Sequence, residues 1–388
     1  MLRAAIIVLD GLGIGPAHDT DQYGDRGSNT LGNVARSVGG LSLPRLEALG
    51  LGCCAPLDGM PPAARPQAAS GVCEPASPGK DSTTGHWEIC GLVLPRPFPT
   101  YPQGFPTSVL EEFSRRTGRG VLGNIASSGT AILDVYGAEH CRTGAWIVYT
   151  SADSVFQIAA HESVVPLSEL YAACDIARQT LQAQHAVSRV IARPFTGQPG
   201  SWQRTANRRD FSLPPPRATL LDRLAGAGIG RVGVGKVDDL FAGRGITSVH
   251  ASTNREAYQL ITDALKTIDH GLLLANVIEF DQTWGHRNDV SGFHQGLQEL
   301  DRALPQMLQT VRDQDLVIFT ADHGNDPTTP STDHSREVVP LLVVGPRVRP
   351  VDLGRRRTFA DIGQTVAEFF QVPALEAGTS FLSEVWRD

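Results

Sequence analysis

The tightest constraint in this sequence is the placement of its acidic strand ends. Three short apolar runs close on an aspartate: IIVLD ends at Asp10, VIEFD at Asp281 and VIFTAD at Asp322. The first opens the chain, whereas the other two fall in its last third. In an open parallel sheet the carboxyl ends of the strands form the edge where ligands bind. Three carboxylates at one edge repel one another unless cations neutralise them. A core that uses all three must be assembled from both ends of the chain, with the middle inserted into it.

Histidines accompany these aspartates. His286 follows Asp281 closely, His323 adjoins Asp322, and His334 completes ADHGNDPTTPSTDH. One strand-end aspartate alone is better explained as a turn or helix cap. Three with histidine partners point to a metal site, and mixed Asp/His ligands suit zinc or manganese better than calcium. The segment GKDSTTGHWEICG, residues 79–91, adds a fourth element. It places Ser82 at a helix N-terminus, where free N–H groups and the helix dipole favour an anion. The plainer alternative is that Asp81 or Ser82 only caps the helix. Beside a metal cluster, however, a serine hydroxyl is a candidate nucleophile, because a bound cation lowers the pKa of a coordinated oxygen. Three aspartates and two divalent ions leave a net positive site, fit for a phosphoryl group.

Buried parallel strands are expected at Ala4–Leu9, Trp146–Tyr149, Val187–Ala192, Arg231–Val234, Leu272–Phe280, Leu316–Thr320 and Pro340–Val344. Helical patterns alternate with them. Ser168 is expected to cap one through about Gln184, Asn254 another through about Ile268, and Leu297, Leu300, Leu304 and Leu308 mark a third. This alternation indicates an α/β architecture. Two proline clusters, Pro95–Pro106 and Pro214–Pro216, bracket a segment with its own strands and helix. The expected division is a discontinuous core of residues 1–100 and 215–388 with an inserted domain of residues 101–214. The Pro/Ala-rich stretch Met60–Gly79 reads as a surface loop.

Composition narrows the function classes. With 41% hydrophobic and 19% charged residues and a net charge of -7, the chain is neither a disordered polyelectrolyte nor a basic nucleic-acid binder. Six cysteines without a C-x-x-C pair suggest reduced thiols in the cytoplasm. No apolar stretch approaches the roughly 20 residues needed to span a bilayer, so no membrane partner is expected. Lysine is scarce: Lys80, Lys236 and Lys266 are the only three among 34 basic residues.

Taken in order, the motifs resemble the alkaline phosphatase superfamily and, within it, the phosphopentomutase family. The resemblance runs through VLDGLGIG, GDRGSNTLGN, GKDSTTGHWEICG, YTSADSVFQIAAHE at 149–162, VIARPFTGQPG, VGKVDDLFAG, EFDQTWGHRND, ADHGNDPTTPSTDHSRE and FADIGQTVAEFF. It implies an alkaline-phosphatase-like α/β core, a central mostly parallel sheet between helices, with a smaller inserted α/β cap. It implies two Mn2+ per chain, one held by Asp281, His286 and His334, the other by Asp10, Asp322 and His323. The family nucleophile is a threonine where this sequence has Ser82, with Thr83 and Thr84 beside it. Positions matching substrate contacts are Ser151, Asp153, Arg189, Ile191, Arg204 and Lys236. The implied activity interconverts ribose 1-phosphate and ribose 5-phosphate, and the 2-deoxyribose pair, through a phosphoenzyme and a pentose bisphosphate. Glucose 1,6-bisphosphate or ribose 1,5-bisphosphate would prime it, and the family favours a monomer acting on small-molecule pentose phosphates. The alternative is a phosphatase or another metal-dependent phosphomutase of the same superfamily.

Overall fold

The computed structural model describes residues 1–151 and 153–387; Ala152, in the motif at 149–162, and Asp388, at the end of the second core segment, lie outside the described residues. The chain separates into two compact units, Met1–Arg96 with Pro215–Asp388, and Pro97–Pro214. In chain order the strands are β1 (Arg3–Leu9), β2 (Ala69–Cys73), β3 (Val121–Ala126), β4 (Trp146–Thr150), β5 (Val155–His161), β6 (Arg189–Thr196), β7 (Gln203–Arg204), β8 (Arg209–Ser212), β9 (Gly230–Val234), β10 (Ser248–Val249), β11 (Gly271–Val277), β12 (Asp315–Thr320), β13 (Val339–Val344) and β14 (Asp352–Arg356).

The larger unit is built on an eight-stranded sheet in the order β10-β9-β11-β1-β12-β13-β2-β14. The first strand of the chain sits between two strands from its last third, parallel to both, with Ile7 opposite Ala275 on one side and Phe319 on the other. All residues of β1, β11 and β12 are buried. Helices on both faces exclude water from the sheet, which is why these strands read as unbroken apolar runs. The strand expected to be parallel at Pro340–Val344 is instead antiparallel: β13 alone among the described strands of this sheet runs against both of its neighbours. Because β11, β1 and β12 are adjacent and parallel, their carboxyl ends open onto one place.

Four further local expectations are corrected. Met60–Gly79 is not all surface loop, since β2 lies inside it, fully buried between β13 and β14. Its sequence, ASGVC, is too small and too short to announce a strand; pairing on both sides makes it one. Ser168 does not cap a helix. The helix runs Leu167–Thr180 after Pro166, whose fixed φ suits a helix start. Thr253, not Asn254, caps the helix Asn254–Thr267, accepting from Glu256 N at 3.2 Å. Asn254 instead accepts from Glu279 N at 2.9 Å. Finally, β11 ends at Val277, and Asp281 sits in a π-helical turn, Phe280–Trp284. Such turns recur at functional sites because the extra residue re-aims side chains.

The smaller unit has a six-stranded sheet in the order β3-β4-β5-β6-β7, with β8 also on β6. One face packs Trp146, Phe156 and Val190 against Phe113 and Leu170 from the helices Thr107–Thr117 and Leu167–Thr180. The other carries Ile147, Tyr149 and Phe195 against Ile132 and Leu133 of the helix Ala131–Thr143. A unit with its own core has the means to fold independently.

At the amino edge of the larger sheet, Arg3 lies opposite Asp315. Its Nε donates to Asp315 Oδ1 at 2.9 Å, and its Nη groups bond Asp315 Oδ2 and the carbonyls of Leu265, Ile268 and Thr310. Both side chains are 2% exposed, so removing one strands a buried charge. Arg3→Met is expected to lower the unfolding free energy by about 3–5 kcal/mol, read from the urea midpoint. Arg3→Met/Asp315→Leu should cost less than Arg3→Met alone. A midpoint unchanged in Arg3→Met would show that the pair does not hold this edge.

Candidate active site

At the carboxyl edge of β11, β1 and β12, the six expected ligands come together. Asp281 Oδ2 lies 3.3 Å from His286 Nε2 and its Oδ1 3.2 Å from His334 Nε2. Around His323 Nε2 lie Asp10 Oδ1 at 3.3 Å, Asp322 Oδ2 at 3.5 Å and Ser82 Oγ at 3.1 Å. The two groups abut: the rings of His323 and His334 are 4.1 Å apart, and ligand atoms of Asp10, Asp281 and His323 lie within 4.8 Å of one another. Donor atoms about 2.1 Å from a common cation are themselves separated by about 3–3.5 Å, the spacing found here. Asp10 Oδ1 and Asp322 Oδ2 are buried and make no hydrogen bond. Lone pairs left so are costly unless a cation takes them. The rings are also oriented for ligation, because His286 Nδ1 donates to Thr332 O at 2.7 Å and His323 Nδ1 to Gly324 O at 3.0 Å, which frees each Nε2. The residues therefore fit divalent-cation binding.

Ser82 is delivered by the helix Ser82–Ile89, and Asp81 is its cap, accepting from Thr84 N at 3.0 Å and Thr84 Oγ1 at 2.6 Å. Thr84's hydroxyl is thereby committed, whereas the Ser82 hydroxyl faces His323. Close packing of this helix on the β12 end depends on Gly85, where a Cβ would lie 2.2 Å from the Asp322 carbonyl oxygen. Gly11, at φ +77, turns the chain after β1 so that its N–H reaches Asp322 Oδ1 at 3.2 Å.

Electrostatics reflect a crowd of charge out of water. Burial, then the charges of Asp322 and Asp281, push the Asp10 carboxyl above its ordinary range. Burial also opposes ionisation of Asp281, yet His334 and His286 hold it well below that range. Asp322 is likewise buried and lowered, by His323 and His86. Burial disfavours charge on His323, but Asp322, Asp10 and Asp281 raise it well above a free imidazole. The same contest, won by Asp281, brings His286 to about 9.

Three residues here escaped the sequence reading. His86 is fully buried one turn beyond Ser82, its Nδ1 2.9 Å from Ser82 O and 3.1 Å from Asp322 Oδ2. Asn276 of β11 donates to Asp10 Oδ2 at 3.1 Å, and Asn325 donates to Asp281 Oδ1 at 2.7 Å. His86 and Asn325 lie inside motifs already singled out, but a buried orienting role has no local signature. Asn276 sits in an apolar strand, where one amide among aliphatics was the available signal.

The other expected contacts are distributed. Lys236 follows β9 and so stands at the same sheet edge as the cluster. Lys80 Nζ pairs with Asp25 Oδ1 at 2.9 Å. In the smaller unit, Ser151 follows β4, and Arg189 opens β6 with its guanidinium 3.8 Å from Asp153 and 3.5 Å from Asp210. Ile191 is buried in β6. Arg204, on β7, pairs with Phe195 near the opposite end of β6 and lies against Gly129.

With this geometry established, comparison with known proteins is informative. The family description that matches residues 2–374 is the metalloenzyme superfamily. The phosphopentomutase of Dictyoglomus thermophilum is 54% identical over 387 residues, covering 99% of both chains. That of Caldanaerobacter subterraneus is 52% identical over 385 residues, covering 99% of this chain and 98% of its own. That of Carboxydothermus hydrogenoformans is 53% identical over 388 residues, covering 99% of this chain and 100% of its own. A chain with an alkaline-phosphatase-like α/β fold, a metal-ligand cluster at its sheet edge and this identity end to end belongs to the phosphopentomutase family of the metalloenzyme superfamily.

Proposed function

We propose that this enzyme interconverts ribose 1-phosphate and ribose 5-phosphate, and the corresponding 2-deoxyribose phosphates, with Ser82 as the phosphoryl carrier. The observation that most supports this reading is the convergence of Ser82 Oγ, Asp10 Oδ1 and Asp322 Oδ2 on His323 Nε2 at 3.1, 3.3 and 3.5 Å. In this reading Asp281, His286 and His334 hold one Mn2+ and Asp10, Asp322 and His323 a second. When bound, such ions supply Lewis-acid stabilisation of the transferring phosphoryl group and lower the pKa of a coordinated oxygen.

The chain's own residues do the rest. The Asp81 cap and His86 fix the first turn of the helix, whose free N–H groups favour the charged phosphoryl oxygens. Phospho-Ser82 transfers its group to the free hydroxyl of the sugar monophosphate: the Oγ–P bond breaks, a sugar O–P bond forms, and the hydroxyl proton ends on Ser82 Oγ. The resulting pentose bisphosphate turns and returns its other phosphoryl group to Ser82. In this reading Arg189, Arg204 and Lys236 are phosphate-binding positions, Ser151 and Ile191 are sugar contacts, and Asp153 accepts sugar hydroxyl protons. A sugar bisphosphate, glucose 1,6-bisphosphate or ribose 1,5-bisphosphate, loads Ser82 initially.

The test is a Mn2+-dependent assay following ribose 1-phosphate loss and ribose 5-phosphate appearance, with and without a sugar bisphosphate. Ser82→Ala should lower turnover by at least about 10³-fold and abolish a phosphate-sized increment in intact-protein mass. Rapid phosphate release without isomerisation would instead mark a phosphatase.

A second expectation concerns protons. Because His286 is protonated up to about pH 9 in the ion-free protein, a cation bound there must displace its proton. Apparent Mn2+ affinity should therefore rise with pH across the neutral range and level off as pH passes about 9. Isothermal titration in buffers of different ionisation enthalpy should show proton release. Affinity that does not change with pH would show that no proton leaves the cluster when the cation binds.

A further inference from the structure

Arg336 lies two residues after His334, close enough to the cluster to suggest a phosphate-binding arginine. Its hydrogen bonds assign it elsewhere. A guanidinium has five N–H donors, and all five are spent inside the protein. Nε and Nη2 form a bidentate pair with Asp19 at 3.0 Å each. The remaining donors go to the carbonyls of Pro75 at 2.9 Å, Ser77 at 2.6 Å and Gly79 at 2.5 Å. Arg336 is 2% exposed, and the ring of Tyr23 covers its guanidinium at 4.8 Å. No donor remains for a substrate.

Those carbonyls belong to the irregular segment between β2 and the Ser82 helix. The amides of the same segment are taken by the opposite charge. Ala76 N and Ser77 N donate to the two oxygens of Glu88, at 2.8 and 2.6 Å. Glu88 is 1% exposed, lies on the Ser82 helix itself, and also accepts from Thr358 Oγ1 and Phe359 N. A further tie runs through Asp25, which accepts from Arg336 N at 2.8 Å and from Lys80 Nζ. The segment leading to Ser82 is thus held by a buried cation from the His334 segment and a buried anion from its own helix.

We infer that Arg336 is a positioning residue for Ser82, which together with Glu88 locks residues 75–79 so that the serine hydroxyl stays in register with His323. This rests on the reading of Ser82 as the phosphoryl carrier. A misplacement on the order of 1 Å at a reacting group costs about 100-fold in rate. Lysine, with three donors on a flexible stem, cannot reproduce the five-donor fork.

The experiment compares full-length Arg336→Lys and Asp19→Asn with the unmodified enzyme in the mutase assay, in Mn2+ titration and in amide hydrogen exchange. For Arg336→Lys we expect kcat to fall about 100-fold, KM and Mn2+ affinity to stay within about threefold, and exchange at residues 75–81 to accelerate. Asp19→Asn, which loosens the fork while leaving Arg336 in place, should show the same pattern more weakly and serves alone if Arg336→Lys does not fold. A raised KM with unchanged kcat would make Arg336 a substrate ligand and overturn the inference. So would Mn2+ affinity falling in step with kcat, or exchange at 75–81 that does not change. Full activity in Ser82→Ala would overturn the carrier reading instead, while exchange at 75–81 would still report on the clamp.

Discussion

Everything in the larger unit is arranged around the burial of three carboxylates that repel one another. Asp10, Asp281 and Asp322 are each at most 5% exposed. Burying even one unpaired carboxylate is expensive, and three together are tolerable only where compensating charge is built in. The protein meets this in two ways. Imidazoles of His286, His323 and His334 stand at about 3 Å from the carboxylates. Lone pairs on Asp10 and Asp322 are left open for cations. The sheet order follows from the same need, since only adjacent β11, β1 and β12 bring these ends together.

A second layer of polar groups keeps the crowd in place. Asn276 and Asn325 each donate to one carboxylate oxygen, leaving the other oxygens for charge compensation. His86 ties the Ser82 carbonyl to the neighbourhood of Asp322. Preorganisation of this kind matters in phosphoryl transfer, where positioning and electrostatics supply most of the rate enhancement. The scarce lysines divide accordingly. Lys80 is a tie within the loop before Ser82 and Lys236 stands at the active edge, whereas Lys266 makes a surface pair with Asp263.

Much of this was legible because burial on both sheet faces writes itself into local sequence as unbroken apolar runs. Hence β1, β9, β12 and β13 lie near their expected bounds. The helix start at Ser82 was legible too, because a cap needs a particular side chain at short spacing, and Asp81 supplies it. Features whose meaning depends on a distant partner were not. ASGVC is a strand only because β13 and β14 flank it. Asn254 resembles a cap, but Glu279 claims its side chain and Thr253 does the capping. Arg336 carries no local sign of its role, since its donors go to Asp19 and to three carbonyls far away in the sequence.

The amino-acid sequence by itself determined the α/β class, the gathering of both chain ends into one core, and the aspartates, histidines and hydroxyls available at its edge. These rest on residue type and short-range period, which the chain carries wherever it goes. Tertiary structure alone decided that Asp281 lies on a π-helical turn and that Ser82, rather than its threonine neighbours, faces His323. It also decided that the positive charge beside His334 is spent on holding a loop. Hydrogen bonds between residues hundreds of positions apart are set by strand order and helix packing, and no local pattern encodes them.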